Sequence, residues 1–184
     1  KIFTVFGEMY KEKYIYRGLK PITWCYSCRT ALAEAEVEYA DHTSPSIYVK
    51  FAVTEGMEDL GKPVFLLIWT TTPWTLPANL ATAVHPEYDY LAVDVGKEIY
   101  LMAEYLKPAV LEIIGADPRS STVRRFKGKE PEGIKYAHPF LDRTNPVIVG
   151  EHVTLEQGTG LVHTAPGHGQ EDYVIGTRYN LPVY

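Results

Sequence analysis

Alternating apolar and polar residues run through the middle of this chain and predict β-strands. In "SIYVKFAV" every second residue from Ile47 to Val53 is apolar, which is the period of a strand with one buried face. "VFLLIW", Val64 to Trp69, is apolar at every position, so we expect a central strand buried on both faces. "AEAEVEY" alternates as well, although Ala and Glu individually favour helix, and at least its second half is predicted to be a strand.

Helical spacing occurs in three places. Apolar residues between Ile2 and Tyr16 recur with the period of an amphipathic helix, and Gly18 offers a stop. "AEYLKPAVLEIIG" predicts a second helical stretch, interrupted by Pro108. Near the end of the chain, a strand passes through a glycine-rich loop into a third helix that is predicted to begin near Gln170.

Further short strands complete the pattern. "YLAVDV" and "EIYLM", joined at Gly96 and Lys97, predict a hairpin, and "TVRRFKG", "GIKYAHP" and "NPVIVG" are strand-like segments separated by Gly and Pro. Many short strands at regular spacing predict a β-rich α+β fold, with a barrel or sandwich core and a few peripheral helices. The 184 residues suffice for one domain with a real core, and we expect one compact body with a short appendage.

Composition and charge narrow the possible partners. The net charge of −5 argues against a general nucleic-acid coat protein. One basic cluster within "PRSSTVRRFKGKE" either contacts a phosphate backbone or forms a solvated hairpin, and the second interpretation is favoured. Its members are Arg119, Arg124, Arg125, Lys127 and Lys129.

The chain has no sign of a membrane partner. No apolar run approaches the roughly 20 residues of a membrane helix. The start, "KIFTVFGEMY", has neither the pattern of a signal peptide nor an initiator methionine, so we expect a piece of a longer protein.

Two cysteines, Cys25 and Cys28, lie three positions apart in "WCYSC". This spacing fits a zinc site or a redox pair better than a disulfide framework, and it favours a reducing, cytoplasmic setting. A structural zinc site needs four ligands and the chain has no second pair, so zinc is expected only with ligands from outside this chain. His42 is the nearest conceivable third ligand, and a poor one.

"WTTTPWTLPAN", from Trp69 to Asn79, places three threonines after the apolar strand. Three in a row put hydroxyls on both faces of a strand, where either neighbouring backbone or a ligand must meet them. From the pattern alone the structural interpretation is favoured. Trp69 and Trp74 are then expected in the core, and Asn79 is a turn residue after Pro77.

"HTAPGHGQED" concentrates ligand-type side chains, and Gly167 and Gly169 allow the backbone to pass close to a ligand. A metal is one interpretation, although Pro166 prevents one continuous helix from presenting both histidines. The alternative is that the carboxylates occupy a first helical turn, where the helix dipole favours them. The side chains in question are His163, His168, Glu171 and Asp172.

"WTTTPWTLPAN" and "GTGLVHTAPGHGQEDY" together resemble the editing insertion of isoleucyl-tRNA synthetases, a class I aminoacyl-tRNA synthetase family, and "PITWCYSCRTALAEAEVEY" resembles the entrance to that insertion. In the valyl and leucyl relatives an arginine stands at the place of Thr72, and the histidine at His163 is an isoleucyl feature. The resemblance implies a single editing domain over residues 1–184, excised from a larger synthetase. Residues 1–45 would form a leading helix and cysteine-containing appendage, and 46–184 a β-barrel body.

The resemblance also implies an activity. Such a domain hydrolyses valine wrongly attached to tRNA(Ile), and valyl-adenylate, while excluding isoleucine by pocket size. The family's ligases bind ATP, but the His-Ile-Gly-His and Lys-Met-Ser-Lys-Ser motifs of the synthetic core are absent here, so this fragment is not expected to activate an amino acid. The implied partners are the 3′ end of tRNA(Ile) carrying valine and the remainder of the synthetase in cis. No cofactor is expected for editing, and the family's second cysteine pair lies beyond the insertion.

The family assigns roles to the residues that match its motifs. Asp172 would bind the α-ammonium of valine, and His163 would form the wall that rejects isoleucine. Thr71 and Thr72, with Thr70 behind them, would contact the terminal adenosine and the ester. Weaker substrate-binding candidates are Trp69, Thr75, Asn79, Gly167, His168 and Gly169.

We expect direct attack by water rather than an acyl-enzyme, because no base obviously pairs with a hydroxyl. Two other functions stay open: a non-catalytic tRNA-binding insertion that uses the basic cluster, and a metal-dependent hydrolase that uses His163, His168 and Asp172.

Overall fold

The computed structural model describes residues 1–184 and contains a small N-terminal part and a β-rich body. The N-terminal part has one helix and one short antiparallel hairpin: α1 (Ile2–Lys11), β1 (Trp24–Cys25) and β2 (Thr30–Ala31). No residue of α1 is buried. The helix ends before the predicted Tyr16, and Lys13 adopts a positive φ of 64° just beyond it. None of the helices is long and apolar enough to span a bilayer.

The strand predicted in "AEAEVEY" is wrong. Glu34–Glu36 forms a 3-10 turn, closed by the Glu36 carboxylate, which accepts a hydrogen bond of 2.7 Å from the Ala33 backbone N–H. Residues 37–46 form no regular element. Alternation stabilises a strand only where a neighbouring strand pairs with it, and without one the helical preference of Ala and Glu prevails.

The body is one mixed nine-stranded sheet in the order β11-β5-β10-β9-β3-β4-β7-β6-β8. Its elements are β3 (Ile47–Glu55), β4 (Val64–Thr70), β5 (Ala81–Val84), β6 (Asp89–Asp94), β7 (Ile99–Ala103), α2 (Lys107–Ile113), β8 (Ser121–Lys127), β9 (Lys135–Ala137), β10 (Thr144–Val149), β11 (Leu161–Thr164) and α3 (Gln170–Arg178). The central position predicted for β4 is confirmed: it pairs antiparallel with β3 and parallel with β7. The hairpin of β6 and β7 is also confirmed.

The sheet curls without closing, so the predicted barrel core is wrong while the β-rich α+β class is confirmed. β11 lies close to β4 in space, yet the hydrogen-bonded order runs from β11 at one edge to β8 at the other. β8 is largely exposed and carries charged side chains, as the edge strands of open sheets commonly do. The curl brings the end of β4 opposite β11, and this juxtaposition forms a cleft.

Two apolar clusters hold the helices against the sheet. The main cluster includes Val110 and Leu111 of α2. Pro108 does not interrupt this helix, because it lies in the first turn, where its missing N–H costs no hydrogen bond. A smaller cluster joins Ile175 of α3 to Ala83 of β5 and Ile148 of β10. This packing holds α3 against this edge of the sheet.

The basic cluster around β8 is neutralised by acidic partners. Each of its five cations lies within 4 Å of a carboxylate from a neighbouring segment or turn. The pairs are Arg119 with Asp117, Arg124 with Asp59, Arg125 with Glu104, Lys127 with Asp89, and Lys129 with Glu87. These contacts agree with the solvated-hairpin interpretation, because a phosphate would have to displace a carboxylate at each position.

Candidate active site

A cleft of about 530 Å³ lies where the end of β4 faces β11 and the first turn of α3. Its wall is mostly polar and is formed by four segments of the chain. The lining residues are Trp69, Thr70, Thr71, Thr72 and Thr75 from β4 and the turn after it, Thr154 and residues 156–160 from a loop, Leu161, Val162 and His163 from β11, and His168 and Asp172 near α3. The structure therefore brings the threonine-rich and histidine-rich stretches together in one site.

The three threonines have different roles in the turn that ends β4. Thr70 is buried, and its Oγ1 accepts a hydrogen bond of 3.0 Å from the Thr72 backbone N–H. Thr71 and Thr72 are exposed on the cleft wall, and the 3-10 helix Pro73–Ala78 begins directly after Thr72. Thr70 thus shapes the turn, and its Oγ1 also lies 3.2 Å from the Thr72 hydroxyl, while the Thr71 hydroxyl makes no hydrogen bond within the protein.

His163 is held in the cleft wall at both ring nitrogens. It lies on β11 opposite Thr82 of β5, and only 8% of it is exposed. Nδ1 is 2.8 Å from Nδ2 of Asn79, and Nε2 is 2.9 Å from Oγ1 of Thr75. The ring therefore has no lone pair left for a metal ion, which argues against the metal interpretation of this stretch.

The tautomer of His163 follows from the orientation of the Asn79 amide. Nδ2 of Asn79 donates to the carbonyl oxygen of Ala81 at 2.9 Å, and a carbonyl can only accept. Oδ1 of Asn79 accepts from the Tyr136 hydroxyl at 2.7 Å and from Asn145 Nδ2 at 2.9 Å. Because Nδ2 is also the atom that faces His163, Nδ1 of the ring must accept, and the ring proton resides on Nε2.

The chain of hydrogen bonds continues to the threonine turn. Nε2–H of His163 donates to Oγ1 of Thr75, whose hydroxyl donates to the Thr72 carbonyl oxygen at 2.8 Å. Burial lowers the pKa of His163 to about 4, and the nearby His138 and His168 add to this effect. The ring is consequently neutral at pH 7 and rigidly oriented.

Asp172 occupies the first turn of α3 and points back toward the end of β11. Its Oδ2 accepts a hydrogen bond of 2.9 Å from the Ala165 backbone N–H, and Oδ1 makes no hydrogen bond within the protein. Burial raises the pKa of Asp172 above its ordinary value. A partly desolvated carboxylate with a free oxygen in a cleft is suited to binding a cationic group, which would restore the lost solvation of its charge.

The loop before β11 contributes a whole wall that sequence reasoning missed. Gly158 and Gly160 have positive φ angles of 80° and 75°. A Cβ on Gly158 would lie 3.2 Å from the Trp69 ring, and one on Gly160 would lie 2.3 Å from Cβ of Ala103. The closely spaced glycines of "EQGTG" were the available signal, since they permit both the turn and the close packing. The lining members of this loop are Thr154, Glu156, Gln157, Gly158, Thr159 and Gly160.

Several predicted residues lie elsewhere. Asn79 is completely buried behind His163 rather than on the cleft wall. Gly167 and Gly169 are likewise absent from the lining, and the backbone N–H of His168 is used by the Ala165 carbonyl at 2.9 Å. Trp74 is 65% exposed, so its predicted core position is wrong.

Cys25 and Cys28 lie outside the cleft, Cys25 at the end of β1 and Cys28 in the turn that follows it. The Cys28 backbone N–H donates to Sγ of Cys25 at 3.2 Å, which lowers the pKa of the Cys25 thiol. The turn presents two sulfur atoms, half of the ligands of a structural zinc site.

The fold is shared with known editing domains of synthetases. The P. knowlesi cytosolic leucyl-tRNA synthetase editing domain superimposes with a TM-score of 0.59 at 15% identity, covering 70% of this chain and 60% of that one. At the level of sequence, the profile of tRNA synthetases class I (I, L, M and V) matches residues 1–157. The chain belongs to this family.

Isoleucine–tRNA ligases are among the relatives that match nearly the whole chain. The isoleucine–tRNA ligase of Moorella thermoacetica is 57% identical over 182 residues, which are 97% of this chain and 19% of the ligase. That of Carboxydothermus hydrogenoformans is 55% identical over 183 residues, covering 100% of this chain and 20% of the ligase. The chain thus spans about a fifth of the length of these relatives.

Proposed function

We propose that this chain hydrolyses valine from wrongly charged tRNA(Ile), and also valyl-adenylate, while sparing isoleucine. The observation that carries the proposal is that Asp172, whose Oδ1 makes no hydrogen bond within the protein, lines the same cleft as Thr71, Thr72 and His163. The similarity to isoleucine–tRNA ligases supports the identity of the tRNA. In the whole enzyme the domain would act in the cytoplasm, in cis with the synthetic domain that charges the tRNA.

The amino acid is anchored by its charge. The α-ammonium of the esterified valine donates to Oδ1 of Asp172, while the Ala165 N–H keeps Oδ2 in place. Burial has raised the pKa of Asp172, so its charged form gains more from a cationic partner than an exposed carboxylate would. An uncharged or acylated amine would lose this contact, which restricts the site to free aminoacyl groups.

The size limit is imposed by His163. The pocket that activates the amino acid can distinguish isoleucine from valine, which differ by one methylene, by only about 1–3 kcal/mol. Isoleucyl-tRNA synthetases are themselves the standard example of this limit. A second pocket can reject the larger side chain because overfilling a rigid site also costs about 1–3 kcal/mol. The ring of His163 meets this need, since Thr75 and Asn79 hold both nitrogens and prevent it from swinging away.

The hydrolytic step uses water. His163 cannot take a proton from a hydroxyl, because Nε2 already carries one and Nδ1 is occupied by Asn79. Thr71 and Thr72 therefore lack a base, and we assign them to hydrogen bonding with the adenosine and the ester rather than to an acyl-enzyme. The free ribose hydroxyl of the substrate is close enough to its own ester to help position the attacking water.

The two alternative functions have less support. A tRNA-binding insertion would rely on the cations around β8, and each of these has a carboxylate partner. A metal-dependent hydrolase would need lone pairs on His163 that the protein itself occupies.

The cleft volume of about 530 Å³ falls within the range of roughly 300–1,000 Å³ typical of small-ligand sites, enough for an aminoacylated adenosine.

A deacylation assay with two substrates tests the proposal. We expect the chain to release valine from Val-tRNA(Ile) and to leave Ile-tRNA(Ile) intact, with no loss of rate in the presence of a chelator. Equal rates on the two substrates would refute the size limit. Binding of tRNA without deacylation would favour the non-catalytic insertion, and chelator-sensitive release would favour the metal-dependent hydrolase.

A further inference from the structure

Behind the cleft lies a buried polar cluster formed by Tyr136, Asn145 and Asn79, which are 0%, 3% and 0% exposed. Tyr136 of β9 and Asn145 of β10 are directly opposed in the antiparallel pair of these strands. Their side chains converge on Oδ1 of Asn79. None of the three lines the cleft. Buried polar groups are costly in an apolar interior, so a cluster of this kind calls for an explanation.

The cluster holds the Asn79 amide in one of its two orientations. Two donors supply Oδ1, and two acceptors, the Ala81 carbonyl and Nδ1 of His163, take the protons of Nδ2. Turning the amide over would point its oxygen at both acceptors and its NH₂ group at the NH₂ group of Asn145. In the observed orientation every donor and acceptor of the amide is therefore paired, whereas in the turned orientation acceptors would face acceptors and donors would face donors.

The Tyr136 ring is itself immobilised. It stacks on Phe51 with ring centroids 4.9 Å apart and an interplanar angle of 4°. Burial raises the pKa of Tyr136, so its hydroxyl stays protonated and remains a donor. Asn145 is anchored by a second bond, because its Nδ2 also donates to the backbone oxygen of Asn79 at 3.1 Å.

The orientation of the amide has a consequence at the cleft. With Nδ2 of Asn79 facing it, His163 must carry its proton on Nε2 and donate to Thr75. With the other tautomer, Nε2 would accept from the Thr75 hydroxyl, which would then release the Thr72 carbonyl. One amide thus sets the hydrogen-bond direction from the buried cluster to the threonine turn.

We propose that Tyr136 and Asn145 are positioning residues that hold His163, through Asn79, in a single tautomer and orientation and so maintain the discrimination between valine and isoleucine. The effect on discrimination rests on the proposed function, whereas the effect on the tautomer does not. No signal along the sequence marks either residue, since one lies in "GIKYAHP" and the other in "NPVIVG".

The variant that tests this is Tyr136→Phe, which removes the donor and keeps the ring stacked on Phe51. Its control is Tyr179→Phe, which removes the hydroxyl of a half-buried tyrosine outside the cleft; that hydroxyl donates to Glu132 and accepts from the Val149 backbone N–H. The ¹⁵N shifts of labelled histidines report the tautomer, and the His163 signals are identified by their loss in His163→Gln.

In the unmodified chain and in Tyr179→Phe we expect a single Nε2–H tautomer for His163. In Tyr136→Phe, Asn145 and the Ala81 carbonyl still favour the observed orientation of the Asn79 amide, so we expect a minor population of the second tautomer to appear. Discrimination between Val-tRNA(Ile) and Ile-tRNA(Ile) is expected to fall by up to about fivefold, the effect of one neutral hydrogen bond. Asn79→Asp places a carboxylate against Nδ1 and is expected to draw a proton onto that atom.

The outcomes are distinguishable. An unchanged Nε2–H tautomer in Tyr136→Phe would overturn the proposal, even if activity fell, because the loss would then come from general destabilisation. A tautomer mixture with unchanged discrimination would overturn the link to selectivity. If the unmodified chain deacylates neither substrate while the tautomer responds as expected, the editing function fails and the positioning role of Tyr136 on His163 is supported.

Discussion

Replacing Asp172 by Asn separates charge from shape at the anchor of the cleft. The amide oxygen can still accept the hydrogen bond from the Ala165 N–H, so the side chain should keep its orientation. Its other end then presents an NH₂ group, instead of a carboxylate oxygen, to the substrate ammonium. A hydrogen bond to a charged group contributes about 1.5–3 kcal/mol, which corresponds to a loss of roughly 10- to 150-fold in kcat/KM for Val-tRNA(Ile).

The fold should respond in the opposite direction. Burial raises the pKa of Asp172, which means that its ionised form opposes folding above the ordinary titration range of a carboxyl. We therefore expect Asp172→Asn to be at least as stable as the unmodified chain near pH 7, as measured by urea unfolding. The contrast between a large loss of activity and no loss of stability identifies a ligand-binding carboxylate.

A neighbouring carboxylate supplies the control. Glu171 lies in the same first turn of α3 and is exposed, so Glu171→Gln removes an equal charge without touching the cleft wall. Steady-state deacylation of Val-tRNA(Ile) should be unchanged in Glu171→Gln. Full activity in Asp172→Asn, or equal losses in both variants, would show that Asp172 only favours the N-terminus of α3 through the helix dipole.

Three further predictions concern the wall, its titration and the loop. In His163→Ala, Asn79 loses an acceptor and the wall recedes, so new release of isoleucine from Ile-tRNA(Ile) is expected; absence of such release would show that another residue excludes isoleucine. Since the pKa of His163 is lowered from 6.5 to about 4, the unfolded chain binds the proton more readily, and stability should fall as pH drops from 6.5 to 4, by up to about 3 kcal/mol. Urea unfolding at several pH values should show this loss, and His163→Gln should reduce it. In Gly160→Ala the added Cβ would lie 2.3 Å from that of Ala103 at a φ of 75°, and a loss of about 1–3 kcal/mol with a lower Tm is expected; an unchanged Tm would show that the loop can move aside.

The local sequence pattern predicted correctly those elements in which the spacing of apolar residues by itself shows which positions are buried. The alternation from Ile47 and the continuous apolar run from Val64 correspond to β3 and β4, and the predicted start of α3 near Gln170 is confirmed. The same reasoning was wrong for "AEAEVEY", because pairing of strands is a property of the fold. It was also wrong for Trp74, which follows a buried strand but lies on the exposed side of a 3-10 turn.

The candidate site divides in a similar way. Thr71, Thr72, His163 and Asp172 were named through the family resemblance, and they line one cleft. The loop from Thr154 to Gly160 was not predicted to line the site, because its position depends on packing against Trp69 and Ala103.

By itself, the sequence determined the strand periods, the family and the chemical character of the cleft, because these depend on the order and type of neighbouring residues. The tertiary structure alone decided that the sheet stays open and that His163 is neutral and oriented. The bonds responsible join Asn79 to Tyr136, Asn145 and His163 across 57, 66 and 84 positions of the chain. Such contacts arise only when the curled sheet brings β9, β10 and β11 around one amide, and their direction is set by which atoms can donate and which can only accept.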